Sequence, residues 1–252
     1  MAKIACAGGH SKKCPGARCY IDEYTQDRKV NKALLAELNK RGHTVYDCSN
    51  EAATQNAELA AEVYAANKSG AKLFCATHFN ACSKTSGKRG VEVWYYTGTA
   101  MGKKIAEKMS KDLAALFGLP NRGAKATKNL YVLANTSMCA ILPEVCFVDA
   151  KGDVEGYQDV TAAQIAAVMA DAIEYGVGTV KKQATTFTPY VVRITKKTLP
   201  VRKTASSTAV VVTNVKQGDA FTIVGTKTVN GVKWGQLKSK SGWINLNYAK
   251  RI

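Results

Sequence analysis

From Lys3 to Tyr175 short apolar runs alternate with stretches of helical periodicity, and few folds are open to a chain with that rhythm. "KIACA" is a short buried strand, Tyr24 to Arg41 carries Val30, Leu34, Leu35 and Leu38 on one face and stops at Gly42, and "TVYDC" opens a second strand. The rhythm continues through a helix from Thr54 to Ser69, the strands "KLFCATHF" and "GVEVWYY", a helix from Ala100 to Leu116, the strand "AILPEVCFV" and a helix from Thr161 to Tyr175. Such alternation predicts an α/β fold: a mainly parallel twisted sheet with helices on both faces.

The pattern changes at "YGVGTVKKQATTFTP", where helical periodicity ends in Gly, Lys, Thr and Pro. Short strands with turns follow, among them "YVVRIT", "AVVVTNV" and "VKWGQLK", and they predict a small all-β barrel. The Asn-Gly of "VNGVKW" predicts a hairpin, because both turn positions need positive φ. The expected division is residues 1–176, a linker over 177–187, and residues 188–252.

Charge divides at the same place. The net charge is +17, but residues 1–180 hold 22 Lys and Arg against 18 Asp and Glu, whereas residues 181–252 hold 14 against the single Asp219. A basic tail of this kind seeks an anionic polymer, whether nucleic acid or another. With 252 residues, 46% of them hydrophobic, a sizeable core excludes disorder as the default. No run approaches the roughly 20 apolar residues of a membrane span, and "MAKIACAGGH" lacks the apolar region of a signal peptide, so synthesis in the cytoplasm is expected.

In an open α/β sheet ligands bind beyond the carboxyl ends of the strands. His10 follows the first strand and two glycines, His78 ends "LFCATH", Glu144 ends "AILPE", and Glu23 opens the first helix toward the same rim. Two imidazoles and a carboxylate with an open fourth position make a catalytic zinc sphere, and a further carboxylate beside it suits a general base. Spacing alone leaves open that each histidine is a structural residue and that Glu144 is a buried salt-bridge partner. Agreement favours the site, since two of only three histidines fall at strand ends. The third, His43 in "KRGHTVYD", lies at the opposite end of the sheet and reads as structural. The eight cysteines form no Cys-x-x-Cys pair and read as free, mostly buried thiols, the rival being a zinc site of Cys14, Cys19 and His10.

The segments "GGHSKKCPGA", "IDEYTQDRKVNKALLAELNKRGHTV", "FCATHFNA", "NRGAKATKNLYVL" and "ILPEVCFVD" resemble, in order and spacing, the zinc-dependent N-acetylmuramoyl-L-alanine amidases of the phage endolysin and bacterial autolysin branch. The likeness covers about residues 1 to 175. It implies Zn2+ held by His10, Glu23 and His78, Glu144 as the catalytic residue, Asn80 against the substrate peptide, and hydrolysis of the amide between N-acetylmuramic acid and L-alanine in peptidoglycan. Asp22 directly precedes Glu23, and Pro143 directly precedes Glu144, where a proline predicts an irregular or exposed strand. Between His78 and Glu144 the pattern holds a strand, a helix and a strand, with no further helix to plug the site.

The tail from Thr188, through "LPVRKTAS", "GDAFTIV" and "WGQLKSKSGWINLNYAKRI", resembles bacterial SH3-like wall-binding modules, with Trp234, Trp243 and Tyr248 lining a groove or filling a core. The expected partners are therefore peptidoglycan and its anionic wall polymers, reached after release from the cytoplasm, with no nucleic acid and no membrane span. Two alternatives stay open: a wall-binding protein with an inactive catalytic domain, and a basic nucleic-acid binder stacking bases on Trp and Tyr. Oligomeric state is not encoded in these patterns.

Overall fold

A computed structural model describes residues 1–178, 189–229 and 231–252. Two compact units emerge, Met1–Lys181 and Lys182–Ile252. The first runs β1 (Lys3–Gly8), α1 (Glu23–Lys40), β2 (Thr44–Asp47), α2 (Gln55–Ser69), β3 (Leu73–Asn80), β4 (Val91–Tyr96), α3 (Ala100–Phe117), β5 (Asn121–Thr127), α4 (Tyr131–Asn135), β6 (Cys139–Phe147), α5 (Lys151–Gln158) and α6 (Ala162–Val177). Its six strands lie in the order β2-β1-β3-β6-β4-β5.

The sheet is mixed. The pairs β1–β2, β1–β3, β3–β6 and β4–β5 are parallel, but β4 runs antiparallel to β6. Residues 81–90, between β3 and β4, contain no helix. A parallel return needs a crossover of a dozen or more residues, so β4 comes back in the opposite sense. Alternate residues of the central strands feed two cores. Ile4, Cys6, Leu73, Cys75 and Ile141 pack under α1, α3 and α6, while Ala5, Ala7, Phe74, Ala76 and Leu142 pack under α2 and α4. Among the described residues no helix is long and apolar enough to cross a membrane.

Helix ends follow local chemistry. Asp22 caps α1 by accepting the Thr25 N–H, and Thr161 with Gln164 forms a capping box on α6. Gly178 closes α6 in the left-handed conformation at φ 75°. Val177 and Gly178 thus complete this helix, and the rest of the expected linker, 179–187, lies outside the described residues.

Arg41 ties α1 to α6. Its guanidinium donates to Glu37 at 2.8 Å, Asp171 at 2.6 Å and Glu174 at 2.9 Å, and also to the Ala167 carbonyl. His43 bonds the other oxygen of Glu174 at 3.0 Å and is buried, a structural partner far from the strand C-termini.

The second unit is antiparallel throughout: β7 (Tyr190–Ile194), β8 (Thr198–Arg202), β9 (Val211–Lys216), β10 (Ala220–Val229), β11 (Val232–Leu237), β12 (Trp243–Asn245) and β13 (Ala249–Arg251), in the order β13-β7-β10-β11-β12-β8-β9. Val192, Ile194, Leu199, Val201, Ile223, Leu237 and Ile244 form its core. Val229 pairs with Val232 across the expected hairpin, of which Asn230 lies outside the described residues. Trp234 is 3% exposed and floors a groove of about 300 Å³ that Tyr248, Lys196 and Arg202 also line.

Removing Arg41 strands Glu174, which is 7% exposed, with a charge that only His43 partners. Breaking a buried pair from one side is costly, so Arg41→Ala should destabilise the first unit by about 3 kcal/mol. Denaturant unfolding with an unchanged midpoint would show that the α1–α6 contact does not depend on it.

Candidate metal centre and catalytic cleft

Pairing of β1 with β3 sets Gly8 opposite Thr77, and the Gly9 N–H donates to the Thr77 carbonyl, so His10 and His78 emerge side by side. Their rings meet edge to face with centroids 5.0 Å apart. His10 has φ 66°, a left-handed conformation uncommon for a non-glycine residue and frequent at functional sites. A Cβ on Gly9 would come within 2.1 Å of the His78 ring, and one on Gly16 within 2.4 Å of Glu23 Oε2, so the "GGH" and "PG" glycines make room for this contact.

Glu23, first residue of α1, occupies the centre. Its Oε1 lies 3.1 Å from His10 Nε2 and 3.4 Å from His78 Nδ1. The Phe79 N–H donates to Oε1 at 3.2 Å and the Ala17 N–H to Oε2 at 2.8 Å. Burial alone would raise its proton affinity, but the hydrogen bonds and charges of His10 and His78 outweigh burial and pull its pKa from 4.5 to about 2. Burial likewise opposes protonation of His10, and the Glu23 bond overcomes it, with help from the Cys14 carbonyl.

Asp22 is not a competitor for Glu23, because its carboxylate caps α1 and pairs with Arg18. Cys14 donates its thiol to the Ala53 carbonyl, and neither Cys14 nor Cys19 belongs to the group that could hold a metal. That group is His10, Glu23, His78 and one residue the sequence reading passed over, Asp27, their ligand atoms all within 4.8 Å of one another. Asp27 follows Glu23 by one helical turn, so the i, i+4 spacing held the signal. Burial first, then Glu23 and Glu144, push its proton affinity well above the carboxylate range.

Glu144 stands opposite His78 in the β3–β6 register and opposite Glu92 in the β6–β4 register. Its Oε2 has no hydrogen-bond partner among the described residues, and burial, then Glu23 and Glu92, raise its proton affinity strongly. It is therefore no salt-bridge partner. Glu92 is, accepting from Arg122 at 2.7 Å and from Asn80 at 2.9 Å. Asn80 thus has its amide committed within the protein. Pro143 is buried in a continuous β6 and not exposed as expected, and the irregularity falls just beyond, between the His78–Glu144 and Asn80–Phe147 pairs. The cleft of about 250 Å³ is walled by Gln55, Glu58 and Leu59 of α2 and by Leu130, Tyr131 and Val132 at α4, a helix absent from the periodicity reading.

Two imidazole nitrogens and a carboxylate oxygen within 4.8 Å of one another suit zinc's preference for nitrogen and oxygen donors. The fold and site define a class of α/β proteins with a two-histidine, one-glutamate cradle at the rim of a mixed sheet. Within it, this chain belongs to the N-acetylmuramoyl-L-alanine amidase family Amidase_3, matched over residues 4–175.

Relatives include an uncharacterised Clostridium perfringens protein, 38% identical over 172 residues, which are 68% of this chain and 51% of that protein. The endolysin of Bacillus phage SPP1 is 31% identical over 58% of this chain and 54% of its own length. CwlM, an N-acetylmuramoyl-L-alanine amidase of Bacillus licheniformis, is 30% identical over 62% of this chain and 60% of its own length. The chain spans about half the length of the curated relatives it matches. Among solved structures, the catalytic domain of the CD27L endolysin targeting Clostridia Difficile superposes with TM-score 0.63 at 28% identity, covering 69% of this chain and 97% of that one.

Glu23 also sets an acid limit. Because its folded pKa lies below the unfolded one, its contribution to stability is full above about pH 4.5 and is lost as pH falls toward 2. In chelator-treated protein, Glu23→Gln should flatten the loss of stability across that window; an unchanged slope would mean that the two histidines do not hold the carboxylate.

Proposed function

We propose that the chain hydrolyses the amide between N-acetylmuramic acid and L-alanine in peptidoglycan, with Zn2+ bound by His10, Glu23 and His78, Glu144 as the catalytic residue, and retention on the wall by an SH3-like second unit. The observation that carries this reading is the Glu144 carboxyl, unpartnered and of raised proton affinity, in register beside His78 on the floor of the cleft. The zinc ion, when bound, would polarise the scissile carbonyl and acidify the attacking water. Glu144 takes a proton from that water and gives it to the departing amine, so one carboxyl serves as base and then acid. The Ala17 and Phe79 N–H groups fix Glu23, and the Cys14 carbonyl steadies the His10 ring. In this reading Asn80 meets the stem peptide by exchanging its bond to Glu92 for one to substrate.

Glu144→Gln keeps size and polarity while removing basicity. Wall hydrolysis should fall by about 10²–10⁴-fold with zinc content unchanged. Near-normal hydrolysis, followed as turbidity loss with release of new amino termini, would sink the mechanism.

The second unit supplies retention. Lys196 and Arg202 flank the groove over Trp234, and Asp219, the only acid of residues 181–252, accepts the Lys216 N–H and is no part of that groove. An anionic wall polymer or peptide carboxylate suits those cations. Nucleic-acid stacking fits less well, because Trp234 has no open face and Lys196 lies 4.4 Å over the Tyr248 ring. A chain ended at Gly178 should still cleave soluble muropeptides yet wash off walls, and full-length retention should weaken as salt rises. Undiminished retention by the shortened chain would overturn this division of labour.

A further inference from the structure

Asp27 has no part in the mechanism above, yet it stands at the heart of the site. It is fully buried, and neither carboxylate oxygen has a hydrogen-bond partner among the described residues. Burying such a group without donors costs several kcal/mol, a cost that folds retain only where the group serves something. Arg28, the neighbouring cation, attracts the Asp27 charge but makes no hydrogen bond to it: its Nη2 donates to the His10 and Asn50 carbonyls, and its Nε has no partner among the described residues. Helix α1 cannot turn the side chain away, because Gly8 packs directly on the Asp27 backbone, where even a Cβ would come within 2.8 Å.

Placement separates Asp27 from Glu144. Glu144 lines the cleft with His10, Glu23 and His78, whereas Asp27 does not reach the cleft and approaches the same donor atoms from the protein interior. Resting on the zinc reading of this site, we infer that Asp27 is a positioning residue of the metal centre, an interior carboxylate whose charge strengthens the hold of His10, Glu23 and His78 on a divalent cation. Two neutral imidazoles and one carboxylate leave a bound dication with a net positive charge. A second buried carboxylate within 4.8 Å of every donor atom offsets that charge without occupying the face open to the cleft. A dication in turn adds a closer attraction to that of Arg28, which makes no hydrogen bond to Asp27.

The test uses the full chain and zinc alone, in competition with a chromophoric chelator, and compares wild type with Asp27→Asn. The variant should still bind about one zinc at saturation, with affinity about 10–100-fold weaker. Chelator-treated Asp27→Asn should melt no lower than chelator-treated wild type, since an amide is cheaper to bury than an unpartnered carboxylate. The gain in melting temperature on adding zinc should shrink. Wild-type zinc affinity in the variant would overturn the inference, and so would a chelated variant that melts lower or fails to fold, because the residue would then serve the fold. A wild-type chain that binds zinc but does not cleave walls would sink the amidase reading and leave this one standing, whereas a wild-type chain that binds no zinc would sink the metal centre itself.

Discussion

Everything at the rim depends on one carboxylate bound from four directions. Glu23 accepts from the backbone at Ala17 and at Phe79 and meets both His10 and His78, so it joins the loop after β1, the first turn of α1 and the end of β3. A buried carboxylate is tolerable only with such partners, and a helix N-terminus favours its charge further. The local costs follow from this knot. His10 is held at positive φ because the surrounding contacts over-determine it, and glycine is required at 9 and 16 because ring and carboxylate occupy the space of a side chain.

Around that knot, residues of one chemical type diverge by environment. Glu23, bound to imidazoles, is pulled down to about 2, while Glu144, half-buried and with a buried Oε2 that has no donor among the described residues, is pushed up. Glu92, opposite Glu144 across the sheet, is ion-paired with Arg122 and accepts a hydrogen bond from Asn80. Environments that separate proton affinities are what divide binding from proton transfer. His78 and Glu144 face each other in the β3–β6 register, and Glu23 reaches them from the first turn of α1.

Much of this was legible in the chain. His10 and His78 could be placed because strand ends are marked by apolar runs that stop, and Glu23 because a helix start is marked by its cap. Asp27 was missed because its position in α1 looks like any polar residue of an amphipathic helix; only tertiary packing shows that this face is interior at the first two turns. The reversed β4 was readable in principle from the missing crossover helix, but strand direction leaves no trace in hydropathy. The strand β5 and helix α4 escaped for a different reason. "NRGAKAT" is half-exposed at the sheet edge, and "YVLAN" is shorter than two turns, so neither has a period to detect.

On the proposed reading, charge placement links the two units in function. The cleft has Glu23, Glu58 and Glu144 on its walls, Asp27 behind them, and neither Lys nor Arg in its lining. On the proposed reading, such a lining offers no cation to a substrate embedded in anionic polymer. On that reading affinity for wall material comes from elsewhere, and the rest of the first unit, with a net charge of +4 over residues 1–180, has little long-range field to offer. Residues 181–252, with 14 cations against one acid, have that field. On the proposed reading, the separation lets the carboxylates be tuned for metal and proton without regard to substrate attraction, while the basic unit concentrates the protein on the wall without crowding the metal with competing cations.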